Sequence, residues 1–169
     1  ARTALPTVTP LRPVGVIARY IVLGAGLGVV AGLAWWLLAP RVSVRADGTP
    51  VQAYQEGFAA ADLTLGLLLA GAGIVLGVVA ARRLRATDFE RGWAQVAGVV
   101  AGALACAGVA RVIGWWLAGR AMDGDELPLT LNANVVLVLG VVSGLLIVVL
   151  VAAFARDPEP EFGSVAGSG

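Results

Sequence analysis

Four long apolar runs, separated by short polar stretches, set the pattern of this chain. They cover about residues 16–39, 58–81, 92–119 and 134–155, and each reaches the ~20 residues that a hydrocarbon core ~30 Å thick asks of a helix. Lipid can face such helices directly and requires only that the backbone be satisfied within them. The pattern predicts an all-α membrane protein, a four-transmembrane-helix bundle forming one domain. The third run organises the rest. From Gly92 to Arg120 it places a small residue at every fourth position through Ala94, Gly98, Gly102, Cys106, Ala110, Gly114 and Ala118. Residues four apart stack on one helix face, so the spacing makes a groove where another helix backbone can come close.

Glycine-rich helix packing is predicted in the other runs as well. Gly24, Gly28 and Gly32 form a seam in the first, Gly73 and Gly77 in the second, and Gly140 and Gly144 in the fourth. Because the third-run stripe is the longest, bulky substitution at Gly98 or Gly102 is expected to cost more than at Gly140. Paired aromatics belong at membrane–water interfaces, which marks Trp35 and Trp36, and Trp115 and Trp116, as interface anchors. Asp62 and Arg111 are the only charges placed well inside the runs. Counted from the ends of their spans they differ in depth by ~6 Å, a gap that a snorkelling arginine can close, so they are a candidate intramembrane ion pair. The first run also contains Gly26-x-Gly28-x-x-Ala31 with Asp47 beyond it. A dinucleotide fingerprint needs a short strand and then a helix, whereas this run continues unbroken into Trp35, so a packing seam explains the glycines better.

Between the runs, Val42-Ser-Val44-Arg-Ala alternates and Asp47-Gly48 is a favoured two-residue turn; a small β-hairpin on the membrane surface and an irregular loop both fit residues 40–57. The second polar stretch holds Arg82, Arg83, Arg85 and Arg91. It abuts a span on both sides, which points to a topology anchor touching anionic lipids near Arg82, Arg83 and Arg85 and away from nucleic acid. The third holds Asp123, Asp125 and Glu126, but Pro128 interrupts any calcium-loop spacing, and a solvated acidic turn is the expectation. Residues 1–15 read as a mobile cytoplasmic tail. The first run is too long for a signal peptide and lacks a small-residue cleavage site. Residues 156–169 read as a disordered tail, with Glu161-Phe162-Gly163-Ser164 resembling a cloning scar and linker.

Composition restricts the chemistry. Hydrophobic residues make up 59% of the 169 and charged ones 14%, with a mean hydropathy of +0.87, well away from a soluble domain. The absence of histidine removes haem b ligation, imidazole metal sites and histidine bases, and the absence of lysine removes a lysine nucleophile. One cysteine, Cys106, allows no intrachain disulfide and sits in the small-residue stripe as a packing residue. No cofactor is expected. Arginine sets the orientation: with both termini cytoplasmic, eight arginines lie inside and three outside, as the positive-inside rule favours. Trp35-Trp36-Leu37 and Trp115-Trp116-Leu117 also echo each other, from two-helix repeats or from convergent anchoring.

Leu38-Ala39-Pro40-Arg41-Val42, Asp47-Gly48, Glu56-Gly57-Phe58-Ala59-Ala60-Ala61-Asp62 and the pair Arg82-Arg83 resemble a family of small four-helix actinobacterial membrane proteins of unknown function, over about residues 20–120. The resemblance implies a plasma-membrane location in a GC-rich Gram-positive bacterium and carries no catalytic residues. Together these features predict a non-catalytic accessory or structural subunit of a larger plasma-membrane assembly, respiratory or cell-envelope, with membrane-protein partners or further copies of itself. The alternative is a small oligomeric transporter or channel using Asp62 and Arg111. An enzyme has the least to work with, because no two membrane carboxylates are paired by spacing.

Overall fold

The structure is a computed structural model that describes residues 13–39, 54–84, 89–120 and 134–154. It contains α1 (Pro13–Leu38), α2 (Tyr54–Leu84), α3 (Phe89–Ala118) and α4 (Leu139–Phe154), the last entered through a 3₁₀ turn over Asn134–Val138. No strand occurs among the described residues. All four helices are long and apolar enough to cross a membrane.

The helix ends follow from local chemistry. Pro13 opens α1 where its missing N–H would have had no helical partner, and its fixed φ already suits a helix. Pro40 disfavours helical geometry in the residue before it, and α1 closes at Leu38 with the Ala39 N–H donating to the Trp35 carbonyl at 2.8 Å. α2 begins at Tyr54, ahead of the apolar run, and extends to Leu84 so that Arg82 and Arg83 fill its last turn, where cations oppose the helix dipole favourably. The apolar run marks the part of a helix that lipid can cover and not where the helix ends. Residues 54–57, which fell within the stretch 40–57 read as a hairpin or an irregular loop, are therefore helical; residues 40–53 lie outside the described residues, as do the acidic stretch 121–133 and both tails. The α-helical part of α4 has 16 residues, about 24 Å, and the five-residue 3₁₀ turn adds about 10 Å, which brings the element to spanning length.

Successive helices run antiparallel, yet the closest pairs are the parallel ones, α1 with α3 and α2 with α4. Their register can be read from the glycines. A Cβ placed on Gly24 would fall on the carbonyl oxygen of Gly102, one on Gly28 would lie 2.6 Å from that of Cys106, and one on Gly32 2.8 Å from that of Ala110. Likewise Gly73 faces the backbone of Gly140, and a Cβ on Gly77 would lie 2.6 Å from the Gly144 oxygen. α2 and α3 also touch each other, whereas α1 and α4 make no contact among the described residues. In α2 and α3, 44% and 39% of the span is buried, against 28% in α1 and 17% in α4, so the two middle helices form the centre.

Six of the seven stripe residues on α3 are buried; the side chain of Ala118 is outside the description. Gly98 and Gly102 are filled by Tyr20, and Gly114 by the ring of Trp35. A Cβ on Gly102 would meet the Tyr20 carbonyl oxygen at 2.6 Å, whereas one on Gly140 would meet the Leu69 carbonyl oxygen at 3.0 Å. Two core clusters result. One joins Ala31 and Trp35 to Ala61, Leu65, Leu69, Cys106 and Ala110, and the other joins Tyr20 to Leu76, Ala80, Val99, Ala103 and Val148. The outer surface is apolar too, with Val22, Val30, Leu63, Leu67, Leu104, Val112, Leu146 and Val149 all exposed.

Candidate functional site: polar contacts inside an apolar bundle

Few polar side chains enter the bundle, and three hydrogen bonds among the described residues join one helix to another. The Tyr20 hydroxyl donates to Gln95 Oε1 at 2.7 Å, tying α1 to α3. Tyr20 is 1% exposed and Gln95 6%, so the bond forms with no competing water on either side. The Trp35 indole N–H donates to the Ala61 carbonyl at 2.9 Å, tying α1 to α2. That carbonyl already serves the α2 ladder and accepts through its second lone pair. Ser143 Oγ donates to the Ala70 carbonyl at 2.9 Å, tying α4 to α2, and lies 3.2 Å from the Gly140 carbonyl of its own helix. Thr64 bonds back to Ala60 at 2.8 Å and joins nothing. Among the described residues no buried side-chain nitrogen or oxygen lacks a hydrogen-bond partner.

Asp62 follows Ala61 directly and is 5% exposed. Arg111 follows the fully buried Ala110 and occupies an exposed position on α3. Ala61 and Ala110 belong to the same core cluster, which on α2 extends from Ala61 to Ala72. Below Asp62 the inward face of α2 runs Leu65, Leu69, Ala72, Leu76 and Ala80, all buried and apolar.

The four tryptophans marked as interface anchors, of five in the chain, do not share one environment. Trp115 and Trp116 are 63% and 53% exposed, and the Arg120 guanidinium stacks on the Trp116 ring at 3.4 Å from its centroid, which suits an interface position. Trp36 is half-buried, and Trp35 lies in the core rather than facing outward. Trp35 and Trp115 thus hold non-equivalent places despite the repeated Trp-Trp-Leu. Cys106 is a free, buried thiol packed against α1. Among the described residues no group of histidine, cysteine, aspartate or glutamate side chains could hold a metal ion.

Sequence reasoning missed Gln95 and Ser143. Gln95 is the single amide in the third apolar run, next to Ala94 of the stripe, and Ser143 lies inside Gly140-x-x-x-Gly144; each is a polar residue interrupting an apolar run at a close-approach face. That interruption is the signal that could have found them. No family model, curated protein or solved structure matches this chain.

Proposed function

We propose that the chain is a multi-pass plasma-membrane protein with both termini cytoplasmic, acting as a non-catalytic structural or accessory subunit of a larger membrane assembly. The observation that carries this reading is the disposition of polarity: the interior side chains of Tyr20, Gln95, Trp35 and Ser143 form helix-to-helix bonds, while apolar side chains cover the core and the exterior alike. A soluble chain would not expose so large an apolar surface, and lipid or protein partners account for it. The seams at Gly24, Gly28, Gly32, Gly73, Gly77, Gly98, Gly102, Gly140 and Gly144 are occupied within the chain, so they do not supply the partner faces. Gly26, Gly71 and Gly108 do. Each lies on an exposed, mid-span position where an added Cβ would meet nothing within 4 Å, and a helix pays for such glycines unless something packs there. The resemblance of Leu38–Val42 and Glu56–Asp62 to an actinobacterial membrane-protein family would imply the plasma membrane as the location. Native mass spectrometry after mild detergent extraction is expected to find a partner or a second copy on the chain; a lone monomer at every detergent strength sinks the accessory reading.

We read Asp62 and Arg111 as a register pin between α2 and α3 rather than as part of a transport path, because the inward face of α2 beneath Asp62 is apolar from Leu65 to Ala80 and the polar side chains deeper in the bundle, Ser143 and the Tyr20–Gln95 pair, are engaged in helix-to-helix bonds. An arginine at the centre of a span costs ~2.5–3.5 kcal/mol on insertion scales, and pairing offsets part of this. Arg111→Ala is expected to lower thermal stability in detergent, and Asp62→Asn with Arg111→Gln to recover part of the loss. Strictly additive losses would separate the two residues, and proteoliposome flux abolished by Asp62→Asn would restore the transporter.

A further inference from the structure

The contact between α1 and α3 repeats along its length. Gly24, Gly28 and Gly32 lie against the carbonyl oxygens of Gly102, Cys106 and Ala110, so small residues meet small residues at each turn. On α3 the same face continues toward the helix start through Gly98 and Ala94, both buried. A row with a four-residue repeat matches itself again after a shift of four, which is ~6 Å along the axis with ~40° of rotation. Sliding α1 by one turn toward its own start would set Gly24 on Gly98, Gly28 on Gly102 and Gly32 on Cys106, a seam of smaller residues than the observed one. That slide would also carry Arg19 out of the apolar span, whereas the opposite slide would drag its guanidinium a turn further in. The seam alone therefore admits a second position.

We propose that α1 has two docking positions on α3, one helical turn apart, and that Tyr20 and Trp35 are the side chains that close the second. In the observed position both rings sit where α3 has no side chain: a Cβ on Gly98 would run into the Tyr20 ring, and one on Gly114 into the Trp35 ring. One turn back on α3 the same rings would meet the methyls of Ala94 and Ala110, which are 3% and 0% exposed and have no room to yield. The Tyr20 hydroxyl would be drawn ~6 Å from Gln95, and the Trp35 N–H as far from the Ala61 carbonyl. Two sockets and two hydrogen bonds thus choose one register from a seam that is indifferent to it, and setting register is the best-attested use of a buried polar group in a helix pair. Offsets between the two positions lose the four-residue match, so a pull on the start of α1 is answered by a whole turn or not at all. The seam of Gly73 and Gly77 on Gly140 and Gly144 takes no part, because α1 and α4 make no contact among the described residues. Only the direction of the slide rests on reading the helices as membrane spans.

Double electron–electron resonance on the full chain in detergent measures the slide. Spin labels on Val14→Cys and Val112→Cys, at positions 74% and 62% exposed, lie ~30 Å apart along the axis, and the buried Cys106 stays unlabelled. With the native sockets a single distance is expected. Gly98→Ala and Gly114→Ala fill both sockets, and adding Ala94→Gly and Ala110→Gly opens them one turn earlier. This four-residue variant should lengthen the distance by ~6 Å and should melt above the variant in which the sockets are only filled. Tyr20→Ala with Trp35→Ala removes the rings and keeps the seam, and should show both distances at once. Labels on Leu63→Cys and Val149→Cys, across α2 and α4, should hold one distance throughout. An unshifted distance after the sockets are moved, or a single native distance without the rings, overturns the second position; so does movement of the α2 and α4 labels, which would mean a general rearrangement. Loss of helical circular dichroism in both variants would show that rings and sockets hold the fold itself and not a choice between positions, and overturns the proposal too.

Discussion

Tyr20 does two jobs with one side chain: its ring fills the space that Gly98 leaves, and its hydroxyl holds the buried Gln95. These can be separated. Tyr20→Phe keeps the ring and removes only the bond, leaving Gln95 Oε1 buried with nothing to accept from. The cost of stranding a buried polar group is about 1–3 kcal/mol, above the ~0.6 kcal/mol average for interhelical side-chain bonds in membranes, where the unfolded reference also finds partners. Thermal unfolding in detergent is expected to place Tyr20→Phe in the upper range, because here both partners are almost fully buried. Gln95→Leu alone strands the hydroxyl instead. The double variant should therefore lose less than the sum of the two singles, and simple additivity would show that the bond contributes nothing of its own. Trp35 follows the same logic, with its ring over Gly114 and its N–H on Ala61. The sequence reading marked it as an interface anchor because it belongs to an aromatic pair at the end of a span, whereas the helical period of 3.6 brings Tyr20, Gly24, Gly28, Ala31 and Trp35 onto one buried face.

At the scale of elements, glycines separate into those a neighbour's backbone touches and those nothing touches, and the two classes should respond to alanine with opposite signs. At Gly24 and Gly73 the added methyl would fall on a carbonyl of the facing helix, so the whole pair must move apart; overpacking of even a compliant core costs about 1–3 kcal/mol. At Gly26, Gly71 and Gly108 the methyl enters open space, and replacing a helical glycine by alanine gains up to about 1 kcal/mol. Melting temperatures in detergent are expected to fall for Gly24→Ala and Gly73→Ala and to hold or rise for the other three. A fall at Gly26, Gly71 or Gly108 seen only in native membranes would instead mark a partner face. Four-residue spacing picked out Gly24, Gly28, Gly32, Gly73, Gly77, Gly140 and Gly144 but not the buried Gly66, where a Cβ would meet Leu139 and Val136. It could not say which seam meets which, since a groove on one helix accepts any complementary ridge. The missing clue was a match of sizes: Tyr20 and Trp35, 15 residues apart on α1, sit over Gly98 and Gly114, 16 apart on α3, with small residues against small residues between them. Helix ends were less legible than helix existence, because polar turns such as Tyr54-Gln55-Glu56-Gly57 remain helical after apolarity has stopped.

For the whole molecule, the antiparallel order of successive helices puts Arg19, Arg82 and Arg83 at one end of the bundle and Arg120 at the other. That order fixes the loops relative to one another but is indifferent to which end faces the cytoplasm; charge makes that choice. With eight arginines against three, the end holding Arg82 and Arg83 should stay inside, since short loops rich in arginine resist translocation. Single-cysteine labelling can test this without first removing the native thiol, because Cys106 is 1% exposed and packed against α1, so an introduced cysteine reports alone. A membrane-impermeant maleimide applied to intact cells is expected to label Thr49→Cys and to spare Thr87→Cys until the membrane is permeabilised. Replacing Arg82, Arg83 and Arg85 together with glutamine removes three of the eight inner charges and cuts the bias to five against three. A fraction of chains should then label at Thr87→Cys from outside. If arginine count governs the orientation, that fraction should shrink again when Arg41 and Arg45 in the first loop are also neutralised, because the bias depends on the difference between the two faces. Labelling of Thr87→Cys from outside in the unaltered background would invert the topology and leave every helix-to-helix contact described above in place.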